Sequence, residues 1–69
     1  MRKITKKMYL LTGVELTELR ERVGLNQRQL AELWGVSQQW ISHLESEEQV
    51  LIKDKQIIMM ARKVFFQKN

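Results

Sequence analysis

Apolar residues recur along this chain at three- and four-residue intervals, and that spacing divides it into helices. Leu16, Leu19 and Val23 share one face, joined in part by Val14. Thr12 followed three positions later by Glu15 forms a capping box, so a first helix is predicted over 13–23, ended by Gly24. Leu25 then seals the gap before Asn26. A second box, Asn26 with Gln29, starts the next helix at Gln27. Leu30, Ala31 and Trp34 fall on its inner arc, Arg28, Gln29 and Glu32 face away, and Leu33 lies on the border. Gly35 ends this helix, because a left-handed residue at a C-terminal turn costs least without a Cβ. Val36 follows as a plug and Ser37 is the next N-cap; the third helix turns Ile41 and Leu44 inward. Ala31 is small where two helices cross at close range, and stiff Ile41 is the residue expected against it.

The two ends are less regular. Residues 1–11 begin as a basic arm and turn apolar at Met8-Tyr9-Leu10-Leu11, a run too short to separate helix from strand. The arm either tracks a phosphate backbone or caps the core with its apolar end. Ser46 to Gln49 is a polar loop, and Val50-Leu51-Ile52 packs down as a turn or an extended segment. Lys53 to Phe66 reads as a last helix whose stripe is Ile57, Ala61, Val64 and Phe65, widened by Ile58 and by Met59 or Met60. Phe65 and Phe66 either complete the core or form a self-association patch. The expected fold is all-α: a compact four- to five-helix domain over 12–66 with a central helix-turn-helix, a basic arm at 1–11 and a tail at 67–69.

The outer side of the third helix changes the picture from structure to chemistry. With Gln38 as zero, Ser42, Gln39 and His43 fall at about 40°, 100° and 140°, whereas Trp40, Leu44 and Ile41 fall at about 200–300°. The polar arc thus carries amide, hydroxyl and imidazole groups that donate and accept, as base edges in a major groove require. Two adjacent glutamines at the start of a helix suit bidentate contact with adenine.

Charge adds a partner. The formal net charge is +4 and the pI about 9.8, which favours a polyanion. Its distribution matters more than its sum: between Glu15 and Glu48 seven glutamates stand against three arginines, and the basic residues gather at the two ends. Non-specific phosphate attraction is therefore expected largely from the two tails, Arg2, Lys3, Lys6 and Lys7 at one and Lys53, Lys55, Arg62, Lys63 and Lys68 at the other. Arg28 and helix N-termini help locally, and Lys6 and Lys7 are the contacts expected of the arm. With 69 residues there is room for one domain. The absence of cysteine excludes disulfides and thiolate metal sites and makes a reducing cytoplasm the expected home. No apolar run approaches the roughly 18 residues of a membrane span. A single histidine and no convergent acid, base or nucleophile point away from an enzyme, a cofactor, a metal and a small-molecule substrate.

Asn26 to Glu45 resembles the helix-turn-helix of the phage repressor and Cro family, also called Xre-type regulators. The matching positions are Gln27, Leu30, Ala31, Gly35, Val36, Ser37, Gln38, Gln39, Ile41, Leu44 and Glu45, and the flanking helices extend the likeness from Thr12 to Val64. The glycine that often ends the helix after Ser37 in that family has no counterpart in the loop Ser46 to Gln49. The resemblance implies that the helix after Ser37 lies in the major groove, with Ser37, Gln38, Gln39, Ser42 and His43 facing bases and Gln27 meeting a phosphate. For His43 the other reading is a solvent-facing residue. For Trp40 the readings are a ring at the core margin and an indole N–H on a phosphate. The implied function is a homodimeric, sequence-specific repressor on a palindromic operator, such as a Cro-like, antitoxin-like or anti-CRISPR-associated autorepressor. The alternative is a protein-interaction module on the same fold, using Phe65, Phe66 and Met8 to Leu11.

Overall fold

Four helices and three strands follow one another as β1 (Arg2–Thr5), β2 (Met8–Leu11), α1 (Gly13–Arg22), α2 (Gln27–Trp34), α3 (Gln38–Glu45), β3 (Val50–Lys53) and α4 (Asp54–Phe66). The structure is a computed structural model that describes residues 2–66, with the side chains of 2–62. The expectations for Val64, Phe65, Phe66 and the tail at 67–69 lie outside those described side chains.

The helices arise where local chemistry places them. Thr12 Oγ1 accepts from the Glu15 N–H at 3.0 Å while Glu15 Oε1 accepts from the Thr12 N–H at 2.8 Å. Asn26 and Gln29 repeat the exchange at 2.7 and 2.9 Å, and Ser37 Oγ accepts from the Trp40 N–H at 3.1 Å. α1 ends one residue earlier than its apolar spacing predicts, with Val23 as C-cap. Gly35 closes α2 in the left-handed conformation, φ 70°, and Val36 N–H returns to the Ala31 carbonyl at 2.9 Å.

An all-α fold is corrected by an antiparallel sheet of order β1-β2-β3. The two short apolar runs that had no clear periodicity pair with each other: Met8 with Lys53, Tyr9 with Ile52, Leu10 with Leu51 and Leu11 with Val50. Pairing imposes the alternation of a strand, so Val50 and Ile52 are buried and Leu51 and Lys53 exposed. Residues 2–11 are accordingly no free arm. Arg2–Thr5 folds back along β2, Arg2 opposite Leu10 and Lys3 opposite Tyr9, across a turn that holds Lys6 and Lys7. β1 is exposed throughout, and its Arg2, Lys3 and irregularity before Thr5 discourage a further strand from adding to the edge.

The core gathers one or two residues from nearly every element: Leu11, Leu16, Leu25, Leu30, Ala31, Ile41, Val50, Ile52 and Met60. Ala31 and Ile41 are both buried, as the close α2–α3 crossing requires. Trp34 packs on this core and donates its indole N–H to the Gln56 carbonyl at 3.3 Å, joining α2 to α4. Three apolar expectations shift. Val14 is exposed, Val36 closes its turn through the backbone rather than as a plug, and α4 turns Ile57 and Met60 inward while Ala61 faces out. Among the described residues no helix is long and apolar enough to cross a membrane.

Candidate nucleic-acid interface

Two contacts set the position of α3. At its C-terminal end the Gly13 N–H donates to the Glu47 carbonyl at 2.8 Å, and the glycine lies against the backbone of Glu45 and Glu47 with no room for a Cβ. Beside it, Arg20 Nε donates to Glu45 Oε2 at 2.7 Å, Arg20 Nη1 to the Leu25 carbonyl at 2.8 Å, and Gln27 Nε2 to Glu45 Oε1 at 2.9 Å. The Arg20 and Glu45 side chains are only 11% and 8% exposed. One carboxylate therefore ties α3 to α1 and to the start of α2.

Burial pushes the Glu45 carboxyl upward, but hydrogen bonds from Arg20, Gln27 and Thr17, with the Arg20 charge, outweigh it and hold the group below its usual value of 4.5. A value lower in the folded than the unfolded chain means that ionised Glu45 adds stability above that usual value and loses it as pH falls through the lowered one. Urea midpoints measured from neutral pH into acid should fall more gently in Glu45→Gln than in the native protein. Equal slopes would remove Glu45 from the acid response.

The outer face of α3 is uncovered. Ser37, Gln38, Gln39, Trp40, Ser42 and His43 are all exposed, and Gln38, Gln39 and Ser42 spend no side-chain hydrogen bond on the described protein. Ser37 uses its oxygen as the cap and keeps its hydroxyl proton to donate. His43 is engaged: its ring stacks on Trp40, centroids 5.4 Å apart, and Nε2 lies 3.1 Å from Glu47 Oε1. That turns the imidazole toward the C-terminal end of the helix. Trp40 is 49% exposed and stands outside the core and its packed margin. The reason is the narrow inward stripe of an eight-residue helix, in which Ile41 alone is buried.

The phosphate candidates separate. Gln27 is half-buried and spends one amide N–H on Glu45, which braces the helix pair and leaves its second N–H to donate. Arg28 is exposed and pairs with Glu32 at 3.3 Å, an open surface contact that solvent screens and a phosphate can displace. Lys6 and Lys7 are exposed at the β1–β2 turn, and the sheet brings Lys53 and Lys55 beside Lys7. The sequence puts Lys53 and Lys55 in the second basic cluster, but nothing in it shows that they meet Lys7. The Arg20–Glu45 link also escaped it, whereas the His43–Glu47 spacing of four was a visible signal.

A family model described as a helix-turn-helix domain matches residues 12–62. No curated protein and no solved structure matches the chain.

Proposed function

The chain belongs to the helix-turn-helix domain family, and from that premise we propose that it is a DNA-binding regulator which reads double-stranded DNA in the major groove with α3. The observation that carries this reading is the uncovered run Gln38, Gln39 and Ser42, whose donors and acceptors have no partner within the described protein. Trp40, stacked on His43, offers its exposed ring and N–H at the groove wall. Eight residues of helix span only a few base pairs, so a homodimer on a palindromic operator supplies the remaining specificity, and occlusion of the promoter is the simplest consequence. The reading assigns binding in the cytoplasm and no catalytic step.

Selection of bound sequences from a random duplex pool tests the proposal. A recovered motif with two half-sites about one helical turn apart supports a dimeric reader; an unenriched pool rejects sequence-specific binding. Gln38→Ala and Gln39→Ala should each cost about 1–3 kcal/mol on the selected duplex and relax the preference at individual bases. Equal losses on selected and scrambled duplex would count against direct readout by these amides.

A second reading, a protein-interaction module, is favoured by the exposed apolar side chains Ile4, Leu51 and Ile58 and by the acidic middle of the chain. Titration against random duplex at low and then physiological salt separates the two.

A further inference from the structure

Lys53 and Lys55 are shared by two clefts. In the first they stand with Lys7, Met8, Asp54 and Ile58, between the β1–β2 turn and the start of α4. The second leads from the same two lysines past Gln56 and Met59 to Trp34 and Gly35, the turn that delivers the chain to Ser37 and Gln38. The sheet creates this arrangement. Met8 lies opposite Lys53, and the Asp54 N–H donates to the Lys7 carbonyl at 2.7 Å, so lysines from the two ends of the chain meet on one surface. Each cleft has one acid in its lining, and both are engaged: Asp54 accepts from the Tyr9 hydroxyl at 3.0 Å, and Glu32 pairs with Arg28.

The other end of α3 has the opposite character. Glu47 meets the start of α1 and the His43 ring there, and Glu48 lines a cleft with Glu15 and Arg2. Lysines therefore flank the N-terminal end of α3, where Gln38 and Gln39 stand, and glutamates flank its C-terminal end.

Resting on the DNA-binding reading, we propose that Lys7, Lys53 and Lys55 form a single seat for a phosphodiester backbone. The duplex is gripped at the N-terminal end of α3, and Glu47 and Glu48 hold the C-terminal end away from it. Ammonium groups on long flexible stems reach phosphate oxygens without a fixed geometry, and the apolar Met8 and Ile58 between them suit the deoxyribose that links successive phosphates. A seat of this kind contributes attraction and register, without base preference.

The test is duplex binding by fluorescence anisotropy across a salt series, with a random-sequence duplex and the duplex recovered by selection. Lys7→Gln, Lys53→Gln and Lys55→Gln should each reduce the slope of log K against log salt by about 0.9 and weaken both duplexes equally, whereas Glu48→Gln, which removes a repelling charge, should strengthen both. All three lysines are exposed, so melting by circular dichroism should coincide with that of the native chain. Unchanged slopes in the three lysine variants of a protein that binds duplex overturn the seat and leave the DNA-binding reading intact. Losses confined to the selected duplex also overturn it. A native protein that binds neither duplex overturns the reading and the seat together.

Discussion

Arg20→Met is expected to destabilise the protein by about 3–5 kcal/mol, because it leaves the Glu45 carboxylate nearly enclosed and without its cation. A chain of this length has roughly 3–10 kcal/mol in total, so the variant should be largely unfolded under mild conditions. The loss comes from the abandoned charge more than from the pair itself. Removing a well-made ion pair as a unit and filling its volume with apolar atoms is commonly near neutral. Arg20→Met combined with Glu45→Leu should therefore recover most of the stability, less what the Gln27 amide and the Leu25 carbonyl lose as partners. Urea denaturation of the two single variants and the double one measures the coupling. A loss below about 1 kcal/mol in Arg20→Met would mean that solvent already screens the pair, as it does for exposed ones.

Gly13→Ala is the second substitution expected to unfold the domain, at a cost of ~3 kcal/mol or more. A Cβ at Gly13 would lie 2.6 Å from the Glu47 carbonyl oxygen and closer still to that of Glu45, both backbone atoms that cannot rotate aside. Relief requires α1 and the end of α3 to part, which breaks the 2.8 Å bond from the Gly13 N–H. Gly24→Ala provides the comparison. It has open space but φ of 78°, so it should cost only the 1–2 kcal/mol or so of a left-handed alanine. Thermal melting that ranks Gly13→Ala no worse than Gly24→Ala would refute the close-approach argument.

What was legible in the sequence is what is decided locally. Thr12 with Glu15, Asn26 with Gln29, Ser37 and the left-handed Gly35 each act within a few residues, and they place α1, α2 and α3 correctly. The exposed polar face of α3 follows from the same periodicity, and Gln38, Gln39 and Ser42 are free where it put them. The sheet was not legible, because Met8–Leu11 and Val50–Ile52 are each too short and too uniformly apolar to show a period of two until they pair. β1 carries no pattern at all, and its existence depends on β2 being there. For Gly13 and Glu45 the deciding partners come from distant parts of the chain, so no spacing rule reaches them. Of the two readings for Trp40, the core margin fails because the residue sits about 100° around the helix from buried Ile41, which leaves its ring exposed.

The pairing of β2 with β3 has a consequence for how the molecule comes into being. Met8 cannot meet Lys53, nor Leu11 meet Val50, until the ribosome has made all three of the helices that lie between them, while those helices need only near neighbours to begin. Of the two strands, β2 is thus the one that must wait, with its apolar residues unsheltered, until β3 emerges to cover them.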